Sequence, residues 1–130
     1  MTFVDTGAWF ATMVPTDPRH RQVIGWVKAS SGPLVTTEYV IDETLTFLRS
    51  RGHAVRAVRF GRQVLDLSAY AVHYQRDELR LAWELFRDQP QRKWSFTDCT
   101  SMTVIERLHI KQVLTFDHHF GEFGALTLVP

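Results

Sequence analysis

Short runs of apolar and β-branched residues alternate along this 130-residue chain with longer stretches of helical periodicity. Strand signals separated by helical patterns are typical of βαβ units, which build a parallel sheet covered by helices. We therefore predict an α/β fold, a three-layer α/β/α sandwich with a short-stranded, mainly parallel central sheet. The sequence shows no internal repeat and no linker-like segment, so we assign residues 1–130 to a single domain.

The pattern predicts strands at 2–4, 34–35, 67–72, 113–116 and 126–129. It predicts helices over 8–14, from 18 to the break at 32–33, across 40–48, over 54–65, across 79–86 and across 102–108. Two helix starts follow from capping chemistry. Asp17 is the predicted N-cap ahead of Pro18, and Thr97 is the predicted N-cap of the helix that contains Met102.

Composition excludes several classes of protein. Cys99 is the one cysteine, so an intramolecular disulfide and a cysteine-based zinc site are both excluded. The formal net charge is +1, so a nucleic-acid site would depend on local clustering of charge. No apolar run approaches the roughly 20 residues that span a membrane, and Asp5 interrupts an N-terminus without basic residues. We expect a soluble cytoplasmic protein.

Four carboxylates occupy positions from which they can converge on one edge of the predicted sheet. Asp5 and Asp117 each follow a predicted strand, and ligands bind outside the carboxyl ends of parallel strands. Asp98 lies in the first turn of a helix, on the stripe that faces the core, and Glu43 borders the apolar face of an earlier helix. Four ionised carboxylates need a cation, and Mg²⁺ prefers oxygen ligands. This arrangement suits metal-assisted hydrolysis of a phosphodiester.

Each acid also has a purely structural interpretation. Asp5 and Asp117 could start turns, and Asp98 could favour a helix N-terminus through the macrodipole. Glu43 has an acidic neighbour in Asp42, and spacing alone does not choose between the two.

Four motifs occur in a characteristic order and spacing: "FVDTGAW", "VIDETLTFL", "SFTDCTSM" and "VLTFDHHF". Together they resemble the motifs of PIN-domain ribonucleases, and most closely those of the VapC-type toxins of type II toxin–antitoxin modules. The resemblance covers essentially the whole chain. It implies a parallel sheet between helices and a divalent-metal-dependent endonuclease that acts on single-stranded or looped RNA.

The resemblance also implies residue roles, cofactors and partners. It chooses Glu43 over Asp42 and implies four catalytic and metal-binding acids: Asp5, Glu43, Asp98 and Asp117. It implies polar support for these acids from Thr6, Ser95 and Thr97. The implied cofactor is Mg²⁺ or Mn²⁺, since an oxygen ligand set disfavours zinc. The implied partners are an RNA substrate, a cognate antitoxin and a second copy of the chain.

Basic residues concentrate in two places that could bind RNA. The first contains no acid and holds Arg49, Arg51, Arg56, Arg59 and Arg62; the second holds Arg92 and Lys93 beside Trp94. Arginine pairs with phosphate through two hydrogen bonds, so we predict a positive rim beside the acids, with a solvated helix face as the alternative. Trp94 would either stack on a base or pack in the core. We expect His118 and His119 to be loop residues that do not bind metal, with zinc or acid–base roles as the alternative.

The predicted hairpin of helices at 40–65 carries more apolar side chains than a small domain can bury: Phe47, Leu48, Val55, Val58 and Phe60. The resemblance implies that some of them form a groove for an antitoxin segment. That segment would insert a basic side chain among the four carboxylates and displace the metal.

Two other functions compete with this interpretation. A haloacid-dehalogenase-type phosphohydrolase would use Asp5 as nucleophile, but it needs a second acid where this chain has Gly7, and a late lysine for which only Lys111 is available. A non-catalytic PIN-like module would bind RNA or protein without cutting, and the complete set of four acids argues against it.

Overall fold

The computed structural model describes residues 1–67, 70–73 and 78–130. Within these residues, five short strands form one sheet: β1 (Thr2–Val4), β2 (Leu34–Thr37), β3 (Ala71–His73), β4 (Gln112–Leu114) and β5 (Thr127–Val129). Their order is β3-β2-β1-β4-β5, and all four neighbouring pairs are parallel. The predicted short-stranded parallel sheet is confirmed.

Six α-helices flank the sheet in the described part of the chain: α1 (Thr6–Met13), α2 (His20–Ala29), α3 (Glu38–Ser50), α4 (Ala54–Gly61), α5 (Leu79–Asp88) and α6 (Phe96–Arg107). A π-helical turn (Arg62–Asp66) continues α4, and a 3₁₀ turn (His118–Glu122) follows β4. Because the chain runs from β1 outward to β2 and β3 and later adds β4 on the other side of β1, the strand order reverses between β1 and β4. Such a reversal opens a crevice at the carboxyl ends of the two strands.

The central strands β1 and β4 are covered on both faces of the sheet, which explains their apolar residues. Phe3 and Val4 of β1 and Val113 and Leu114 of β4 are fully buried. Helices complete the core, and Leu48 of α3 is among the fully buried side chains. The core thus fixes β1 next to β4. The polar residues that directly follow the two strands are therefore held close to each other.

Both helix starts predicted from capping chemistry are wrong. The Asp17 carboxylate accepts the backbone N–H of Arg19 over 2.8 Å in a tight turn, and α2 begins only at His20. Ser95, and not Thr97, is the N-cap of α6, because its hydroxyl accepts the N–H of Asp98 while the Asp98 carboxylate accepts the N–H of Ser95. This reciprocal pair is a capping box, and it begins the helix two residues earlier than predicted.

Other boundaries also differ from the sequence prediction. Among them, β2 extends to Thr37 and α1 begins at Thr6. The predicted strand 113–116 ends at Leu114, so Phe116 lies beyond it. The helix predicted over 54–65 divides into α4 and the π-helical turn. Residues 68–69 of the predicted strand 67–72 lie outside the described residues, and β3 begins at Ala71. Among the described helices, none is long and apolar enough to cross a membrane.

Candidate functional site

One open cavity of about 740 Å³ lies at the carboxyl ends of β1 and β4. All four predicted acids line it. Asp5 follows β1, Asp117 follows β4, Glu43 projects from α3, and Asp98 projects from the first turn of α6. The structure therefore brings together, at the reversal of the strand order, side chains that lie up to 112 residues apart in the sequence.

Asp5 is the most deeply buried of the four acids. Its carboxylate accepts hydrogen bonds from the hydroxyl of Thr115, over 3.0 Å, and from the backbone N–H of Thr6. The pKa of Asp5 is nevertheless raised to about 7. Burial is the main cause, the two hydrogen bonds lower the pKa, and the nearby charges of Asp98 and Glu43 raise it. Near neutral pH, Asp5 is therefore easily protonated unless a cation compensates its charge.

Glu43 and Asp98 show the same competition between burial and hydrogen bonding. Burial raises the pKa of Glu43, a hydrogen bond with Thr97 lowers it, and the charge of Asp98 raises it. Burial likewise raises the pKa of Asp98, while hydrogen bonds from Ser95 lower it and the charge of Asp117 raises it. Ser95 and Thr97 thus contact the acids that the sequence prediction assigned them to support.

Two threonine hydroxyls lie next to the acids. Thr6, which the sequence predicted as polar support, has a buried Oγ1 with no hydrogen-bond partner among the described residues. Thr115 was missed from the sequence, although its position at the end of a buried strand, two residues before Asp117, is a signal that could have identified it. Its Oγ1 accepts the backbone N–H of Asp117 over 2.9 Å while donating to Asp5.

Asp117 also starts a turn, as its structural interpretation suggested. Oδ1 of Asp117 accepts the backbone N–H of His119 over 2.9 Å. The same oxygen lies 3.1 Å from Nδ1 of the His119 ring. The rings of His118 and His119 contact each other with centroids 4.7 Å apart, and both side chains line the cavity. These two contacts with His119 orient the Asp117 carboxylate beyond the carboxyl end of β4.

The predicted basic rim is divided among several surfaces. Arg51 and Lys93 line the acidic cavity, and they are joined there by Arg19, which the sequence prediction missed. The other five predicted residues lie elsewhere: Arg49 and Arg62 line a groove between α3 and α4, Arg56 and Arg59 line a third cavity, and Arg92 pairs with Glu122 over 3.2 Å. The chain reverses at Gly52, whose φ of +82° suits glycine, and this turn carries the α4 arginines away from the acids.

Trp94 packs against the protein. Its Nε1 donates to Glu122 over 2.9 Å, and its ring lies against Phe123 with centroids 4.1 Å apart. Arg92 stacks on the same ring at 5.4 Å. Of the two interpretations left open by the sequence, packing rather than base stacking describes this tryptophan.

The donor set suits a hard divalent ion. No group of three or more His, Cys, Asp or Glu side chains within the described ranges is arranged to hold a metal by itself. Mg²⁺ commonly takes one or two carboxylates and completes its shell with water and phosphate oxygens. Carboxylates with raised pKa values and the unpartnered hydroxyl of Thr6 are the oxygen groups that such an ion would satisfy.

The geometry does not support a dehalogenase-type site. Lys111, the late lysine which that chemistry would need, lines a different cavity together with His109 and Leu126. Gly7 stands in the acidic cavity where such an enzyme requires its second acid.

Comparison with known families identifies the arrangement. A family model described as PIN domain matches residues 2–126. The chain belongs to the PIN-domain family. The resemblance noted from the four sequence motifs is thereby confirmed.

Two relatives of this PIN domain are named as nucleases. It is 34% identical over 139 residues to the 23S rRNA-specific endonuclease VapC20 of Mycobacterium tuberculosis. The alignment covers 100% of this chain and 99% of that protein. It is 30% identical over 124 residues to a VapC ribonuclease of Archaeoglobus fulgidus, covering 91% of this chain and 78% of the relative.

Solved structures agree on the fold. The crystal structure of Mycobacterium tuberculosis VapC20, described as a toxin that cleaves the sarcin–ricin loop, superposes with a TM-score of 0.91 over 100% of both chains at 27% identity. FitAcB from Neisseria gonorrhoeae superposes with a TM-score of 0.69 over 100% of this chain and 97% of that one at 13% identity, a likeness of fold alone. The predicted α/β/α architecture is confirmed.

Proposed function

We propose that this PIN domain, spanning residues 1–130, is a Mg²⁺- or Mn²⁺-dependent endoribonuclease and the toxin of a toxin–antitoxin pair. The observation that carries the proposal is the meeting of four acids in one cavity at the reversal of the strand order. Its full-length similarity to VapC20, a named rRNA endonuclease, supports the same conclusion. An enzyme that cleaves RNA acts where RNA is, so we expect it to work in the cytoplasm.

The four acids would act together as metal ligands. Asp5, Glu43, Asp98 and Asp117 would hold the metal, which supplies Lewis acidity that polarises a phosphate and activates water. Thr115 orients Asp5, and Ser95 orients Asp98 through the capping box. Because these hydrogen bonds lower the pKa values of Asp5 and Asp98, they favour the ionised carboxylates that bind a cation.

We propose a looped RNA of the sarcin–ricin type as the substrate. VapC20 is described as cleaving that loop, and the similarity to this chain extends over the whole of both proteins. Arg51 and Lys93, which line the acidic cavity, would contact phosphates on either side of the cleaved bond.

The test is cleavage of a labelled RNA stem-loop with the sarcin–ricin sequence by the purified protein in Mn²⁺. EDTA and the Asp98→Asn variant are the controls, since asparagine keeps an oxygen for the capping box but removes the charge. We expect a single cleavage that both controls abolish. Cleavage that persists in both would come from a contaminant, and failure to cut this loop or any RNA of a total pool would favour the non-catalytic binding module.

The groove between α3 and α4 is our candidate for the antitoxin site. It is an open, mainly apolar groove of about 630 Å³, lined by Leu45, Val58 and Leu65 together with Arg49 and Arg62. Leu48 and Phe60 are buried, whereas Phe47 and Val58 remain 39% and 48% exposed, so the hairpin does keep apolar side chains outside the core. We also propose that the toxin is a homodimer, which light scattering on the purified protein would test.

A further inference from the structure

A tight turn between α1 and α2 forms part of the wall of the acidic cavity. The backbone N–H of Asp17 donates to the carbonyl of Val14 over 3.0 Å, and that of His20 donates to the carbonyl of Asp17 over 3.0 Å. The His20 ring is also within 2.7 Å of the Ala11 carbonyl through Nδ1. The turn is therefore attached to α1, which begins next to Asp5.

Arg19 is held in this turn by two different contacts. Its Nε and Nη2 donate to the two oxygens of Asp17 over 3.0 and 2.9 Å. Its guanidinium carbon lies 4.7 Å from the centre of the Phe116 ring. A carboxylate in the plane and an aromatic ring on the face together fix the orientation of a guanidinium, which a lysine could not reproduce.

The guanidinium of Arg19 lies where it could contact a bound substrate. Asp17, Arg19 and Phe116 line the same cavity as the four acids, and Phe116 directly precedes Asp117. The ion pair of Arg19 is with Asp17, whose side chain is only 7% exposed, while Arg19 itself is 39% exposed. Since the pairing uses Nε and Nη2, the Nη1 edge of the guanidinium remains available for a second acceptor.

We infer that Arg19 is a substrate-positioning residue that binds a phosphate of the RNA next to the cleaved bond. The inference rests on the proposed function and extends it to a residue outside the predicted basic clusters. The ligand is defined by its chemistry: a non-bridging phosphodiester oxygen matches a guanidinium fork, and the ordered guanidinium loses little freedom on binding. Arg51, whose guanidinium lies 4.6 Å from the Phe47 ring in the same cavity, presents a second arginine stacked on phenylalanine.

The alternative is that Arg19 only stabilises its own turn. In that case the Arg19 side chain contacts only Asp17 and Phe116, and its loss should change the stability of the turn without changing the affinity for RNA. The two interpretations differ in kinetics. A phosphate contact should affect KM and the salt dependence of kcat/KM, whereas a turn contact should affect neither.

The experiment compares Arg19→Gln, Arg19→Lys and Arg21→Gln on the labelled sarcin–ricin stem-loop in Mg²⁺ at several salt concentrations. Arg21 is an exposed arginine two residues away that does not line the cavity, so it is the matched control. For Arg19→Gln we expect KM to rise about tenfold or more, as for loss of a charge-assisted hydrogen bond, with kcat changed less than about threefold. The slope of log(kcat/KM) against log[salt] should become shallower by about 0.7, one phosphate contact.

Arg19→Lys should lie between the wild type and Arg19→Gln, because it keeps the charge but loses the fork. Arg21→Gln should match the wild type in KM. Equal KM values and equal salt slopes for Arg19→Gln and Arg21→Gln, in a wild-type enzyme that cleaves the loop, would overturn the inference and leave the proposed function intact. A fall in kcat alone would also overturn it, whereas a wild type that cleaves no RNA would overturn both.

Discussion

The hydroxyl of Thr115 donates a hydrogen bond to Oδ2 of Asp5 over 3.0 Å, and its oxygen accepts the backbone N–H of Asp117 over 2.9 Å. One side chain therefore connects the first and the last of the four acids, which lie 112 residues apart in the sequence. The connection crosses from the end of β1 to the end of β4, where the strand order reverses. Thr115 thus sets the spacing of two proposed metal-binding acids without being an acid itself.

Replacement of Thr115 tests that connection. In Thr115→Val, the hydrogen bond that lowers the pKa of Asp5 is lost, so the pKa should rise further above about 7. We expect kcat/KM to fall about 10- to 100-fold, on the scale of a lost charge-assisted hydrogen bond, and its rise with pH to move to higher pH. Thr115→Ser keeps the hydroxyl and should remain close to the wild type. Identical pH profiles for the two variants would show that the hydroxyl has no role.

Stability of the metal-free protein should depend on the ionisation of Asp5. The folded-state pKa of about 7 lies above the ordinary value of 3.8, so between these pH values the folded state binds more protons than the unfolded state. The free energy of unfolding therefore decreases as pH rises through this window and stays low above it, a contribution of about 1–4 kcal/mol. Asp5→Asn removes the contribution while abolishing cleavage.

Urea unfolding in EDTA at pH 5 and pH 8 measures this effect. The wild type should lose more stability between the two pH values than Asp5→Asn does, and at pH 8 the variant should be the more stable protein. Glu106→Gln, an exposed acid outside the acidic cavity, serves as the control and should follow the wild type. A variant that loses as much stability as the wild type would place the pH dependence elsewhere.

The sequence was sufficient to predict the sheet, with Asp5 and Asp117 at its edge, for one physical reason. Strands buried on both faces must be apolar throughout, so an acid such as Asp5 or Asp117 directly after one of them marks the carboxyl edge of the sheet. The family motif then selected Glu43 over its acidic neighbour, and the structure places Glu43 in the cavity.

Contacts between distant segments could not be predicted in this way. The choice of Thr97 as the N-cap of α6 was a different kind of error, because Ser95 and Asp98 match the local S-x-x-D pattern of a capping box, which the sequence already contains. The stacking of Arg19 on Phe116 joins a turn after α1 to the end of β4, and no local pattern connects the two. The dispersal of the arginines after residue 49 depends on the reversal at Gly52, which fixes where α4 points.

Binding of Mg²⁺ should stabilise the folded protein. A ligand that binds only the native state adds RT ln(1 + [L]/Kd), about 2.7 kcal/mol at 100 times Kd. We expect Tm at pH 8 to increase with Mg²⁺ in the wild type, and the increase to be lost in Asp5→Asn and reduced in Asp98→Asn. Glu106→Gln again provides the control, with the full increase. A Mg²⁺-dependent shift that survives in Asp5→Asn would mean that the ion binds elsewhere on the protein.

The groove between α3 and α4 provides a prediction about inhibition. Val58 lines this groove and is 48% exposed, whereas Val55, on the same helix, is 85% exposed and does not line it. A charge at Val58 would have to be buried beneath a bound apolar segment, which is costly, while a charge at Val55 stays in water. We expect Val58→Asp to keep RNA cleavage and Tm near the wild type but to escape inhibition by the antitoxin.

Growth of cells that co-express each variant with the product of the adjacent upstream reading frame measures that escape, and co-purification measures binding directly. Val55→Asp should be neutralised and co-purified like the wild type. Val58→Asp should arrest growth and elute alone. Because the two variants carry the same charge on one helix, equal neutralisation of both would exclude the groove as the antitoxin site and move the search to the acidic cavity itself.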